Sequence, residues 1–142
     1  MRFWDSSALV PLVVRQPGSA EVEAWLADDS ELVVWTLTGV EIVSALRRLL
    51  RDGVLRESVV AEAEDLASEL LRRSHVVADV ERVKSLAARL LRVHALRAAD
   101  ALQLGAALAW ADGRPADQVL HTFDQRFALA ARREGFRVIP GA

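Results

Sequence analysis

Residues 2–9, Arg-Phe-Trp-Asp-Ser-Ser-Ala-Leu, show how a predicted strand of this chain leads into a predicted helix. A short β-type run, Arg2 to Trp4, ends directly on Asp5, and a segment with helical spacing follows it. Four similar runs occur further along the chain, and longer segments whose apolar residues recur at helical spacing separate them. These runs are Glu31 to Trp35, His75 to Ala78, Val119 to Thr122 and Phe136 to Ile139.

Strands that alternate with helices favour a parallel sheet with helices on both faces, because each crossover needs a connection of helical length. We predict two helices in series between the second and third strands, at about Thr38 to Arg51 and Arg56 to Arg73, and two more between the third and fourth. Pro11 falls inside the first helix, where it should remove a hydrogen bond and bend the chain. With no repeat and no linker, residues 1–142 are expected to form a single α/β domain.

The composition restricts the chemistry of the chain. A hydrophobic content of 52% provides for a real core, and the absence of cysteine excludes disulfides, zinc–thiolate sites and a cysteine nucleophile. The net charge of −2 gives no global basic field, so nucleic acid would have to be bound by local arginines and cations. No apolar run approaches the roughly 20 residues that span a bilayer, and no signal peptide precedes Asp5. We therefore expect a soluble cytoplasmic protein with no membrane partner.

Four acids fall where the strands of such a sheet end or the next helix begins. Asp5 and Asp124 each follow a strand, while Glu41 and Asp100 lie in the first turn of a predicted helix. Ligands of open α/β sheets bind beyond the carboxyl ends of the strands, so these four acids are the informative ones. Asp79 also follows a strand, but it is left outside the site as a plain helix cap.

Any one of these acids has an ordinary structural explanation. Acids at helix starts cap free amides, and Thr38-Gly39-Val40-Glu41 fits a capping box. Asp100 fits this explanation least, because it and Gln103 are the only polar side chains in the apolar segment 98–111. A buried carboxylate needs a partner, which is either Arg97 or a cation shared with Asp5 and Asp124. Sharing is possible if the first and fourth strands are neighbours, roughly 5 Å apart.

Oxygen ligands without cysteine select hard cations. A catalytic ion that is held by few carboxylates and keeps several waters is typical of Mg²⁺, with Mn²⁺ as a close substitute. Such ions usually act on phosphate, where they activate water, neutralise the phosphodiester and stabilise the leaving oxygen. The sequence therefore predicts one or two Mg²⁺ or Mn²⁺ ions and phosphoryl chemistry.

The chain resembles the PIN-domain ribonucleases, in particular the VapC-type toxins of bacterial toxin–antitoxin pairs. The resemblance covers essentially the whole chain, and four motifs carry it in the right order and spacing. These are residues 3–9 (FWDSSAL), 38–41 (TGVE) with Ala45 and Leu46, 96–101 (LRAADA) and 122–127 (TFDQRF).

The resemblance implies a three-layer α/β/α domain with a five-stranded parallel sheet, the first strand central, and about seven helices. It implies that Asp5, Glu41, Asp100 and Asp124 are the acidic metal site and that Ser6 and Thr122 supply hydroxyls beside it. It further implies endonucleolytic cleavage of RNA, a cognate antitoxin and a homodimer. The third and fourth helices, joined at Asp52-Gly53, are the surface that we expect to receive the antitoxin.

Several residues keep two interpretations. Ser6 is either a site hydroxyl or a helix N-cap, and Thr122 either serves the site or closes the turn around Asp124. Arg97 and Arg126 either contact RNA phosphates or pair with the site acids. Trp4 is the tryptophan to consider for base stacking. The histidines share no ligand spacing and are interpreted as structural or surface residues: His75, His94 and His121.

Other classes of α/β protein lack their required residues here. A phospho-acceptor signalling domain needs a lysine after the last strand, whereas the sole lysine, Lys84, lies in a helical segment. An aspartyl-phosphate hydrolase needs a second acid two residues after Asp5, where this chain has Ser7. Nucleotide-binding α/β proteins need a glycine-rich phosphate loop, and the sequence contains none. The alternative that stays open is a binding module on the same fold, with vestigial nuclease activity.

Overall fold

The computed structural model describes residues 1–141. In those residues the predicted strands and helices are all present, together with a short 3-10 helix, Pro115–Asp117. Their order is β1 (Arg2–Trp4), α1 (Ser6–Val13), α2 (Ser19–Asp28), β2 (Leu32–Trp35), α3 (Thr38–Arg51), α4 (Glu57–Arg72), β3 (His75–Val77), α5 (Val80–Val93), α6 (Ala98–Ala111), β4 (Val119–His121), α7 (Gln125–Arg133) and β5 (Arg137–Ile139). Four of the five strands are one residue shorter at one end than the sequence pattern predicted.

The sheet is parallel throughout, with the strand order β3-β2-β1-β4-β5. The first strand is therefore central, as the resemblance implied. Strand β1 pairs with β4 so that Trp4 lies opposite His121, and the amide of Asp5 donates to the carbonyl oxygen of His121 at 3.0 Å. The loops that follow β1 and β4 consequently leave the sheet side by side.

Helices cover both faces of the sheet because successive side chains of each strand point to opposite sides. Trp4 packs with α1, α3 and α4 on one face, and Phe3 packs with α5, α6 and α7 on the other. The predicted three-layer α/β/α architecture is confirmed. None of the helices in residues 1–141 is long and apolar enough to cross a bilayer.

Helices α5 and α6 approach each other closely at Gly105. A Cβ atom at this position would lie 3.0 Å from the carbonyl oxygen of Val83 and 3.3 Å from the amide nitrogen of Ala87. Both are backbone atoms of α5, so neither can rotate away. Glycine here lets α6 lie against its neighbour, which places the first turn of α6, and Asp100 with it, at the edge of the sheet.

Pro11 lies inside α1, as predicted, and the helix ends two residues later at Val13. Its side chain is buried, and its carbonyl oxygen accepts a hydrogen bond of 2.8 Å from the hydroxyl of Ser19. This contact ties the end of α1 to the start of α2.

A candidate active site at the carboxyl edge of the sheet

The structure brings all four predicted acids to one edge of the sheet. Asp5 follows β1, Asp124 lies between β4 and α7, and the first turns of α3 and α6 carry Glu41 and Asp100. Their charges act on one another: Asp124 raises the pKa of Asp5 and Asp100, and Asp5 raises the pKa of Glu41 and Asp100. The four carboxylates thus form one electrostatic cluster.

Asp5 is the most buried of the four, with only 4% of its surface exposed. Its Oδ2 accepts hydrogen bonds from the hydroxyls of Ser7 at 2.6 Å and Thr122 at 2.8 Å, and its Oδ1 lies 3.4 Å from the hydroxyl of Ser6. Burial raises the pKa of Asp5, although the hydroxyl donors oppose the shift. Asp5 precedes α1 but its side chain makes no cap hydrogen bond, so the interpretation of this acid as a plain cap is wrong.

Ser7 is a site residue that the sequence interpretation missed. Besides its bond to Asp5, its hydroxyl lies 3.1 Å from Oγ1 of Thr122 and accepts from the amide of Phe123 at 3.0 Å. Ser6 is the first residue of α1 rather than its N-cap, and its hydroxyl also donates to Glu41 at 3.2 Å. The pair of serines after Asp5 was the available signal, because adjacent residues at a helix start can reach two different neighbours.

Glu41 is held between two donors. Its Oε2 accepts from Ser6, and its Oε1 accepts from Nε2 of Gln103 at 3.0 Å. Burial and the charge of Asp5 raise the pKa of Glu41 to about 7, and the hydrogen bonds from Gln103 and Ser6 limit that rise. Gln103 is therefore part of the site. The sequence marks it as a polar residue one helical turn after Asp100 on an otherwise apolar helix, but it does not assign Gln103 a role.

The capping box predicted at residues 38–41 does not form. Leu37 occupies the N-cap position of α3, and Thr38 turns its hydroxyl inward, where it accepts from the amide of Trp35 at 3.2 Å and from Gln103 at 3.1 Å. Tertiary contacts with β2 and α6 thus replace the local capping bonds. Their effect is to fix the first turn of α3, and with it Glu41, to the sheet.

Asp100 and Asp124 border the more open part of the site. Burial, followed by the charges of Asp124 and Asp5, raises the pKa of Asp100 to about 6, while Arg97 lowers it. Asp124 does cap α7, since its Oδ1 accepts from the amide of Phe127 at 3.0 Å. One carboxylate oxygen therefore serves the helix and the other is left for the site. In residues 1–141, neither Arg97 nor Arg126 has a carboxylate oxygen within 4.0 Å.

The expectation of base stacking on Trp4 is wrong. Trp4 is fully buried, with its ring 4.5 Å from that of His121 and 6.3 Å from that of Trp25. The aromatic residue at the surface beside the acids is Phe123, which rests on Trp25 at 5.4 Å. Gly18 lies beneath Phe123 with φ of 96°, and a Cβ atom there would come within 3.0 Å of the phenyl ring.

The histidines have structural or surface positions, as expected. His121 is buried and stacked on Trp25 at 4.6 Å, and burial lowers its pKa to about 4, so the ring is neutral at neutral pH. His94 lies 2.7 Å from Glu134, and His75 is exposed on the edge strand β3. The predicted cap is confirmed at Asp79, whose side chain accepts from the amide of Arg82 and stays outside the acid cluster.

The residues of the cluster fit a hydrated divalent cation. In the described part of the chain, no three acidic or imidazole side chains converge closely enough to hold one ion jointly. Asp5 and Glu41 instead share the hydroxyl of Ser6 between them, and Asp5 is buried with no basic partner among residues 1–141. An all-oxygen set with excess negative charge and few direct ligands matches the preference of Mg²⁺, which keeps several of its waters.

Open space lies on both sides of the cluster. A cavity of about 470 Å³ is lined by Arg97, Asp100, Asp124, Gln125 and Arg126, and another of about 330 Å³ includes Ser6, Ser7 and Glu41 in its wall. Glu41, Asp100 and Asp124 are therefore reachable by a ligand larger than water, whereas Asp5 is buried.

The chain is similar to known proteins over almost its whole length. Residues 2–133 match the family model of the PIN domain. The chain is 34% identical over 139 residues to Ribonuclease VapC45 of Mycobacterium tuberculosis (strain CDC 1551 / Oshkosh), a match covering 97% of this chain and 94% of the relative. Ribonuclease VapC49 of M. tuberculosis (strain ATCC 25618 / H37Rv) matches with the same identity and coverage.

Two crystal structures share the fold. PAE2754 from Pyrobaculum aerophilum superposes with a TM-score of 0.62 at 21% identity, covering 97% of this chain and 88% of that one. FitAcB from Neisseria gonorrhoeae gives a TM-score of 0.60 at 16% identity, covering 97% of this chain and 96% of that one.

Proposed function

This chain belongs to the PIN-domain family, among its VapC-type members, and from that premise we propose that it is a Mg²⁺- or Mn²⁺-dependent endoribonuclease. The observation that carries the proposal is the cluster of Asp5, Glu41, Asp100 and Asp124, three of which have raised pKa values. Like charges that are packed together and desolvated destabilise a fold, and such a cost is typical of functional sites. Binding of a cation best accounts for this set of acids, because the ion offsets their repulsion.

In the proposed site, the four acids Asp5, Glu41, Asp100 and Asp124 would hold a hydrated cation, with few direct ligands and the remaining contacts made through its waters. A bound divalent ion supplies Lewis-acid chemistry, which activates water and neutralises charge on a phosphodiester. The protein's own groups position the acids: Ser7 and Thr122 fix Asp5, while Ser6 and Gln103 fix Glu41. Arg97 and Arg126, free of ion pairs in residues 1–141, are placed to contact phosphate oxygens.

RNA is proposed as the substrate because both similar VapC proteins carry the name ribonuclease. The test is incubation of the purified protein with a labelled single-stranded RNA in EDTA and then with Mg²⁺ or Mn²⁺. We expect internal cleavage only with the metal, and no cleavage of a DNA strand of the same sequence. Metal-independent cleavage, or none under any of these conditions, contradicts the proposal and favours the alternative of a binding module with vestigial activity.

We further propose that the protein is the toxin of a toxin–antitoxin pair, acts in the cytoplasm and forms a homodimer. The similarity to VapC proteins and to the fold of FitAcB supports this context. The expected antitoxin surface on α3 and α4 does expose apolar side chains, among them Val40, Val43 and Leu66. Expression alone should arrest growth, and co-expression of the neighbouring small protein should relieve it. Growth that tolerates strong expression of cleavage-competent protein excludes the toxin role and leaves the nuclease role intact.

A further inference from the structure

Helix α7 begins directly after Asp124 of the acid cluster, and it presents a mixed basic and apolar face to solvent. Arg126, Leu129 and Arg133 are all exposed, and their spacing of three and four residues places them on the same side of the helix. From Arg126 to Arg133 the helix rises by roughly 10 Å. Leu129, between the two arginines on this face, has 47% of its surface exposed.

This face adjoins the site. Arg126 lines the cavity beside Asp100 and Asp124. It also lines a second cavity, of about 270 Å³, together with His94, Ala95, Leu129, Ala130 and Arg133. The two cavities therefore share Arg126 as a common wall, and the second, which we call the α7 groove, lies beside the acid cluster along α7.

The charges of the groove are not satisfied within the chain. Among residues 1–141, Arg126 and Arg133 lie in no ion pair, whereas nearby Arg89 is bound to Glu134 at 2.7 Å. That same carboxylate also bonds to His94 at 2.7 Å, so both oxygens of Glu134 have partners other than Arg126 and Arg133. The result is a basic wall next to a cation-binding centre, with an apolar patch at Leu129 and Ala95 between the guanidinium groups.

We infer that the α7 groove, formed by Arg126, Leu129 and Arg133, binds the nucleotides of single-stranded RNA that adjoin the cleaved phosphate. The inference rests on the proposed nuclease function and extends it to a substrate subsite. Two guanidinium groups bind successive backbone phosphates, and the Leu129 and Ala95 patch receives the face of a base. Adjacency to the acid cluster through the shared residue Arg126 favours RNA over a protein partner, because the RNA on one side of the cleaved phosphate must run past the site.

Binding measured without cleavage tests the subsite. The wild-type protein in EDTA is titrated with a fluorescent single-stranded RNA, and Kd is determined by anisotropy at several salt concentrations. The test variants are Arg133→Gln and the double variant Arg126→Gln/Arg133→Gln. The matched control is Arg73→Gln, which removes an exposed arginine at the end of α4 in the opposite helical layer. A second pair of variants tests the base contact: Leu129→Ser is the test, and Leu66→Ser on α4 is its matched control for RNA binding.

A plot of the logarithm of the association constant against the logarithm of salt concentration has a negative slope. Each lost phosphate contact should make that slope shallower by about 0.7, so the double variant should make it shallower by about 1.4. Its Kd should rise on the order of tenfold. Leu129→Ser should weaken binding without changing the slope, and both controls should match the wild type. In Mn²⁺, Arg133→Gln should raise KM for RNA and leave kcat unchanged, as expected for a contact away from the reacting atoms.

Unchanged slopes and Kd values in the α7 variants, in a protein whose wild type binds and cleaves RNA, overturn the subsite and leave the nuclease function standing. The α7 variants also overturn the subsite if they keep RNA affinity but escape inhibition by the co-expressed small protein, a result that would favour protein docking on α7. A wild type that neither binds nor cleaves RNA contradicts the nuclease function itself.

Discussion

Gln103 donates from Nε2 to Oε1 of Glu41 at 3.0 Å, which joins the buried middle of α6 to the first turn of α3. The same nitrogen donates to Thr38 at 3.1 Å, so both amide hydrogens are used, while the buried Oε1 has no partner in the described residues. An unsatisfied buried acceptor costs free energy. Its retention indicates that Gln103 is present to orient Glu41 and contributes little net stability.

Gln103→Met should therefore lower activity without lowering stability. Methionine keeps the volume and releases Glu41, and a displaced site group costs on the order of ten- to a hundredfold in kcat. Because Gln103 holds the pKa of Glu41 down, the variant should also need a higher pH for half-maximal Mn²⁺ binding. Thermal melting, steady-state kinetics and Mn²⁺ titrations between pH 5.5 and 8.5 check these effects. Equal pH dependence in wild type and variant would mean that Gln103 only fills space.

Asp100→Asn should abolish RNA cleavage and preserve the fold. The substitution removes a charge with almost no change in volume, and loss of transition-state stabilisation at such a site costs on the order of a hundredfold or more. Asp79→Asn is the matched control, since Asp79 lies outside the acid cluster and only caps α5, a role that asparagine fills equally well. Turnover near the wild-type value in Asp100→Asn would remove this acid from the catalytic set.

The metal-free protein should be strained by its own carboxylates. Asp100→Asn and Asp124→Asn relieve repulsion, so in EDTA each variant should melt at or above the wild-type temperature. Added Mn²⁺ should stabilise the wild type by about 2.7 kcal/mol at about 100 times Kd, a rise of several degrees in Tm. That rise should shrink in both variants. Equal metal-induced shifts in all three proteins would identify these acids as caps and surface charges.

The stability of the metal-free protein should rise as the pH falls from 8. Glu41 and Asp100 have folded pKa values of about 7 and 6, above their unfolded values, so the folded state takes up protons first and these two groups stabilise the fold on acidification. His121 acts in the opposite direction. Its folded pKa of about 4 lies below the unfolded 6.5, so its contribution to stability is lost as the pH falls through that interval, and it reduces the rise.

Urea unfolding in EDTA from pH 8 to pH 4.5 measures this profile. In Glu41→Gln the rise between pH 8 and pH 6 should be smaller, and in His121→Phe the rise below pH 6 should be steeper. Saturating Mn²⁺ should remove the rise, because the ion keeps the acids ionised. Stability that decreases steadily from pH 8 downward in EDTA would contradict the raised pKa values.

Gly105→Ala should destabilise the protein even though alanine is the better helix former. The new methyl group would press on the backbone of α5 at 3.0 Å, and overpacking of this kind outweighs the gain of about 1 kcal/mol in helix propensity. Gly39→Ala is the control, because its Cβ would meet only the flexible tip of Leu71 at 3.1 Å. We expect a net loss of about 1 kcal/mol for Gly105→Ala and none for Gly39→Ala, as measured by urea unfolding. Stabilisation by both substitutions would show that α5 yields easily.

The sequence alone determined the alternation of strands and helices and the four acids. Periods of two and of about 3.6 residues mark buried strands and amphipathic helices locally, so the bounds of α3 were correct and those of four strands differed by one residue. The acids were identifiable because each stands next to such a boundary, and the carboxyl ends of parallel strands share one edge. Whether Asp5 and Asp124 met still depended on the pairing of β1 with β4.

Tertiary structure decided what local patterns leave open. Thr38 and Glu41 have the spacing of a capping box, yet Thr38 bonds to Trp35 and Gln103, since contacts between distant elements replaced the local ones. Trp4 and Phe123 both adjoin an acid in sequence, and only the direction of each side chain relative to the sheet makes one core and the other surface. Such direction and partnership depend on residues that are distant along the chain, and no single stretch of sequence encodes them.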